Sequence, residues 1–216
     1  MTELNARTVA EIGTRVPGPS YDRTGVTSGI VHLGVGGFHR AHEAMYVDAL
    51  LNQGKSADWG ITGVGLMPPD RAMLEVMETQ DCLYTLMVKN LDGSIEPRVI
   101  GAIVDYRFAC EEPEAVLDRM TDPATRIVSL TITEGGYHVN QSTGSFDDGD
   151  ADIRSDIAGE GTPTTAFGFI TEALARRRGA GTEPFTVMSC DNIQGNGTVA
   201  REMITAFATL RDQELG

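Results

Sequence analysis

Nine consecutive residues, Gly34-Val35-Gly36-Gly37-Phe38-His39-Arg40-Ala41-His42, hold the densest cluster of chemically useful side chains. They follow the apolar run Ile30-Val31-His32-Leu33 and open an apolar-periodic segment, so the order is strand, glycine turn, helix. Such a turn can hold a pyrophosphate. Gly34 permits the tight turn, Gly36 lets backbone approach a phosphate, and the helix start offers free N–H groups and a positive dipole end. His39 stands where the third glycine of G-x-G-x-x-G would be. His39 and His42 are three apart, a spacing that suits a metal, but no third ligand is apparent and no metal is assigned. His39 and Arg40 are expected to assist the phosphates instead.

Two later clusters have the same placement. Thr131-Ile132-Thr133-Glu134-Gly135-Gly136-Tyr137 and Ser189-Cys190-Asp191-Asn192-Ile193-Gln194-Gly195-Asn196-Gly197 each end an apolar run. In open α/β sheets ligands bind outside the carboxyl ends of the strands, so three separated segments should converge on one crevice. Glu134 reads equally as a catalytic acid or as a cap on the glycine turn. Asn192 can donate its amide to a substrate or cofactor oxygen, or serve as a turn residue. Asn196 is the better cap for the last helix. Asp70, just past the second strand, is placed to meet the adenosine ribose. It would repel a 2′-phosphate and favour NAD over NADP, whereas Arg71 would do the opposite. Cys190 is read as an inert buried thiol, and Arg176-Arg177-Arg178 as a solvated helix end.

The elements that position these residues alternate between strand and helix. Residues 1–28 read as an arm broken by Pro17, Gly18 and Pro19. Strands are expected at 30–33, 61–66, 126–133 and 185–190. A helix should run over 38–53 and a short one should begin near Pro69-Asp70. Apolar runs 83–88 and 98–105 flank Asp92-Gly93 and predict an inserted hairpin. A helix is expected over 114–120, and a loop rich in Gly, Ser and Asp over 134–150. Thr162 and Pro163 should start a long helix that ends at Gly179, and a last helix covers 197–214. This pattern predicts an α/β fold, with a doubly wound, mostly parallel Rossmann-like sheet in one domain, residues 29–216.

The 216 residues suffice for one such domain, and the net charge of −14 excludes a nucleic-acid backbone or an anionic membrane as partner. No apolar run could span a bilayer, and the polar N-terminus does not resemble a signal peptide. Three distant cysteines, with no C-x-x-C, suit reduced thiols in a cytoplasmic protein.

Taken together, 33–42, 127–137 and 185–192 resemble the polyol-specific long-chain dehydrogenases, a family that includes mannitol 2-dehydrogenase and the fructuronate and altronate reductases. The resemblance runs from about residue 30 to the C-terminus. Gly63-Val64-Gly65-Leu66 with Asp70-Arg71 is more similar to mannitol 2-dehydrogenase than to the uronate reductases. It implies zinc-independent hydride transfer between NAD(P) and a polyol or ketose. It implies cofactor binding by Gly34, Gly36, Gly37, Phe38, His39, Arg40, Asp70, Thr133, Glu134 and Gly135, and a catalytic role for Asn192 in polarising the substrate oxygen. The family's lysine base lies on a second, helical domain. Here the only lysines are Lys55 and Lys89, neither at a parallel-strand end. His39, His138 and Glu134 are the only replacements in view. The expectation is therefore the cofactor half of such an enzyme, inactive alone, with an apolar patch by the crevice that a second domain or self-association would cover. The other reading is a nucleotide-binding module without catalysis. A methyltransferase also uses a glycine turn, but the two later strand-end segments argue against it.

Overall fold

The computed structural model describes residues 2–216. Its main sheet has five parallel strands, β1 (Ser28–Leu33), β2 (Gly60–Gly65), β5 (Ile103–Phe108), β6 (Ile127–Leu130) and β7 (Thr186–Ser189), in the order β5-β2-β1-β6-β7. A separate antiparallel hairpin joins β3 (Tyr84–Lys89) to β4 (Ile95–Ile100). Two short helices, α1 (Val9–Ile12) and α2 (Gly37–Ala41), precede α3 (Glu43–Leu51) and α4 (Arg71–Thr79). The remaining helices are α5 (Pro113–Thr121), α6 (Ala151–Ala158), α7 (Ala166–Ala180) and α8 (Asn196–Arg211).

The sheet is apolar on both faces, as a parallel sheet must be when helices cover both. Ile30, Ile61 and Ile103 pack beneath Ala44, Val47 and Leu51 of α3 and Met77 of α4. On the opposite face Val31, Leu33, Val64, Val128 and Leu130 meet α5, α7 and α8 through Leu117, Phe169 and Phe207. β1 is the central strand and all six of its residues are buried, so His32 is a polar side chain inside the core. Strand order reverses at β1: β2 and β5 continue to one side, β6 and β7 to the other. That reversal opens the crevice in which such sheets bind ligands.

Several boundaries differ from the sequence expectation, each for a local reason. The helix expected over 38–53 is two helices, because His42 leaves helical geometry at φ −121°, ψ −86°. The run 98–105 is not one hairpin strand. Gly101 and Ala102 divide it, and its second part joins the main sheet as β5. Gly101 donates to Asp48 at 2.9 Å, its carbonyl accepts from Arg23, and the Pro19 and Arg23 side chains leave no room for a Cβ there. Helix α6 was not predicted. Asp150 starts it by accepting the amides of Asp152 and Ile153. The long helix is capped by Thr165 rather than Thr162, and it stops at left-handed Gly181 rather than Gly179. Asn196 does not cap the last helix. Gly195 occupies that position, and the Asn196 amide donates back to the Ser189 and Asp191 carbonyls.

The arginine run is not uniformly solvated. Arg176 and Arg178 lie at the surface, but Arg177 is 3% exposed. Its guanidinium donates to the carbonyls of Met120, Glu183, Asp122 and Thr125, so it closes the end of α5 and the approach to β6. The segment before β1 lies against the body: Tyr21 donates to Asp48 at 2.8 Å and Arg23 to the Ile103 carbonyl at 2.9 Å.

Candidate cofactor site

A crevice of about 550 Å³ opens at the carboxyl ends of β1, β2 and β6, beside the reversal of strand order. Gly34 and Gly36, Thr133 and Gly135, and Asp70 of the loop after β2 line it, whereas no residue of the third expected segment, 189–197, does. A larger cavity of about 800 Å³ lies between the arm and α4. Arg71 and Arg107 on its wall are already paired with Glu111 and Asp105, which leaves the crevice as the better ligand site.

The turn after β1 is built for close approach. Gly34 has φ +93°, and a Cβ there would collide with the Thr131 carbonyl. Gly36 and Gly37 face open space, with nothing within 4 Å of where their Cβ would stand. A phosphate can therefore reach the backbone at the start of α2. Asp70 accepts the amides of Leu66 and Met67, both at 2.9 Å, and so fixes the loop after β2 beside the crevice.

Thr133 has φ +63°, ψ +168°, a costly conformation for a residue with a Cβ. Asp191 holds it there. One carboxylate oxygen accepts Thr133 N at 2.9 Å, and the other accepts Ile132 N at 3.0 Å and the Tyr137 hydroxyl at 2.7 Å. The end of β7 thus clamps the end of β6. Glu134 is exposed and lies with Gly135 and His138 on a neighbouring depression. Asn192 is exposed beyond β7.

Three of the expected cofactor-binding residues, two of them expected at the phosphates, direct their side chains elsewhere. Phe38 is 48% exposed and lines an apolar cleft on the α3 side, stacked on His42 at 4.2 Å. Arg40 turns back to donate to the Val35 carbonyl at 2.9 Å, and its own carbonyl accepts from Tyr84. His39 is 1% exposed and faces inward, stacked on His32 with ring centroids 3.5 Å apart.

Beneath the turn lies a buried polar cluster that the sequence reading missed. Glu43 Oε2 lies 3.0 Å from His32 Nδ1, 3.0 Å from His39 Nδ1 and 3.0 Å from Ser129 Oγ. Burial alone would raise the Glu43 carboxyl, but hydrogen bonds from His32 and His39 outweigh it and hold the pKa down to about 2. Burial pushes His39 down to about 4 against the pull of Glu43, so its ring is neutral at pH 7. His32, His39 and Glu43 are close enough to suggest a metal triad. The stacked rings oppose this, because their lone pairs run nearly parallel and one ion cannot lie in both ring planes. The signal available in the sequence was a histidine inside an otherwise apolar strand.

Cys190 is half-buried, and burial pushes its thiol up to about 12, as an unreactive cysteine requires.

The family model for the mannitol dehydrogenase Rossmann domain matches residues 28–215. The chain belongs to this family. It is 48% identical over 214 residues to a polyol:NADP oxidoreductase of Gluconobacter oxydans, covering 98% of this chain and 44% of that protein. It is 47% identical over 213 residues to a mannitol 2-dehydrogenase of Phaeosphaeria nodorum, covering 99% and 37%. Among solved structures, the Pseudomonas fluorescens mannitol 2-dehydrogenase complex with NAD and D-mannitol superimposes with a TM-score of 0.95 at 45% identity, covering 99% of this chain and 44% of that one. A substrate-free D-sorbitol dehydrogenase gives 0.93 at 46% identity, again with 99% and 44% covered. The chain thus spans less than half the length of these relatives. Polyol dehydrogenases are its homologues, and a Rossmann-like sheet with an added hairpin is its fold.

Proposed function

We propose that this chain is the NAD-binding half of a cytoplasmic polyol dehydrogenase of the mannitol 2-dehydrogenase type, and that it does not turn over mannitol or fructose alone. The observation that carries this reading is the crevice at the strand-order reversal, floored by Gly34 and Gly36 and edged by Asp70, Thr133 and Gly135. The open backbone at Gly36 and Gly37 fits a pyrophosphate, and the carboxylate of Asp70 fits an unphosphorylated adenosine ribose. Bound NAD would supply the hydride acceptor. Asn192, exposed at the end of β7, would donate its amide to the substrate oxygen.

Alcohol oxidation also needs a base for the hydroxyl proton. Lys55 and Lys89 follow α3 and end β3, away from the crevice. His39 is buried, Glu134 faces the neighbouring depression, and His138, which lines both the depression and the crevice, has its ring packed edge-on against Phe146 and Phe167. In this reading residues 1–28 form an arm, residues 29–216 the dinucleotide-binding domain, and a second domain brings the base. Two features support a covering partner. β7 is an edge strand, and Phe38, Tyr46 and Leu50 are 48%, 60% and 45% exposed around the α3 cleft, rather than around the crevice where the sequence reading placed the apolar patch. No described helix is long and apolar enough to cross a membrane.

Calorimetric titration with NADH, followed by a mannitol/fructose assay on the same sample, tests the proposal. Binding without turnover is expected. Turnover would place a working base within this chain, and absence of binding would remove the cofactor assignment. The second reading, a binding module without chemistry, predicts that fusing the remaining half of a relative restores no turnover.

A further inference from the structure

Building on the proposed nucleotide site, we infer that Glu43 is a positioning residue for the dinucleotide, acting through His32 and His39 on the two ends of the glycine turn. One carboxylate oxygen reaches both ends. Toward β1 it meets His32 Nδ1, while His32 Nε2 lies 3.1 Å from the Gly34 carbonyl and 2.9 Å from Thr131 Oγ1. That carbonyl is the hub of the turn. It accepts the Gly36 amide at 2.8 Å and the Thr131 hydroxyl. A chain of polar contacts therefore runs from Glu43 through the His32 ring to the Gly34 carbonyl and the Gly36 amide, and it is hydrogen-bonded throughout when both His32 nitrogens carry a proton. Toward α2 the same oxygen accepts the His39 Nδ1–H, which holds the first helical turn down onto the sheet. Ser129 donates to it from β6, so the carboxylate also registers the turn against the strand on the other side of the crevice.

The location makes a purely structural explanation insufficient. Burying a carboxylate and two imidazoles in a parallel sheet is costly, and a packed apolar set of similar volume would stabilise the fold as well or better. The cluster even leaves His39 Nε2 and Glu43 Oε1 buried without partners. Its return is geometric: it sets the direction of the Gly34 carbonyl and the tilt of α2 together. A shift of a fraction of an ångström in either would misaim the Gly37 and Phe38 amides that open α2.

Glu43→Gln keeps the shape but gives the oxygen's neighbours an amide that cannot replace a charged triple acceptor. NADH affinity of the folded variant, checked by circular dichroism, should fall about tenfold or more. Val116→Ala, a cavity variant on α5 remote from the turn, should lower the melting temperature yet leave NADH affinity within about twofold. Hydrogen exchange of the Gly36 and Gly37 amides, measured without nucleotide, should accelerate in Glu43→Gln and not in Val116→Ala. Should Glu43→Gln fail to fold, His39→Phe keeps the ring stack and removes only one donor, and the same two readings apply. NADH affinity and Gly36 exchange both unchanged from the wild type would overturn the inference. Wild-type protein that binds no NADH, yet shows the exchange difference, would remove the cofactor assignment and leave Glu43 as the residue that sets the turn.

Discussion

Asp191 and Thr133 lie on different strand ends and are joined by a 2.9 Å hydrogen bond from the Thr133 amide to the Asp191 carboxylate. The bond does two things. It bridges the crevice rim from β7 to β6, and it maintains a left-handed φ of +63° at a threonine that borders the crevice. Such strain costs about 1–3 kcal/mol and persists only where the surroundings impose it.

Removing the clamp should release the rim. Asp191→Ala leaves the amides of Ile132 and Thr133 and the hydroxyl of Tyr137 without their acceptor. A loss of about 2–3 kcal/mol is expected from lost charge-assisted bonds. Denaturant unfolding reads it directly. NADH titration should show weaker binding than the stability loss alone explains, because Thr133 no longer faces the crevice.

The glycines of the turn should separate into two classes. Gly34→Ala combines a positive φ with a collision against the Thr131 carbonyl, so it should destabilise by several kcal/mol and give little soluble protein. Gly36→Ala meets no protein atom. Its melting temperature should match the wild type while NADH binding weakens, since the added methyl enters the space left for the phosphate. Equal NADH affinity in Gly36→Ala and wild type would remove Gly36 from the site.

The three adjacent arginines should differ sharply. Arg177→Met leaves four carbonyls, those of Met120, Asp122 and Thr125 from the end of α5 toward β6 and that of Glu183 beyond α7, without their donor and should cost about 3–5 kcal/mol, as breaking a buried charged network does. Arg178→Met removes one exposed ion pair to Asp212 and should cost no more than about 0.5 kcal/mol. Paired urea melts of the two variants make the comparison.

That contrast shows where the sequence was readable. Strand–turn–helix order, the parallel sheet and the meeting of the segments after β1 and β6 follow from apolar runs and glycine placement, which are local signals. Arg177 looked like its neighbours because a helix end favours cations whether or not they are solvated. Its burial depends on Met120, Asp122 and Thr125, which lie more than fifty positions away. Glu43 was hidden for the same reason: it falls in the second turn of the helix expected over 38–53 with nothing to mark it, and only the pairing of β1 with β6 brings Ser129 to it. The break at Gly101 was missed because the adjoining ends of β4 and β5, Val99-Ile100 and Ile103-Val104, are apolar and only two residues apart.

Acid should destabilise the protein in two steps, and the first belongs to His39. In the folded state burial lowers its pKa to about 4, while the unfolded chain takes up the proton near 6.5. Between those values the unfolded state binds more protons, so stability is highest above pH 6.5 and falls as pH drops toward 4. The full loss is about 3 kcal/mol by that linkage. Glu43 then acts in a lower window. Its folded pKa of about 2 lies under the ordinary glutamate value of 4.5, so its contribution, present above that value, is lost as pH falls from 4.5 toward 2. Urea midpoints measured at pH 7, 6 and 5 should decline for the wild type and stay nearly level for His39→Phe, which cannot titrate. A wild-type midpoint independent of pH across that range would mean that His39 is charged in the fold, with the Glu43 attraction outweighing burial.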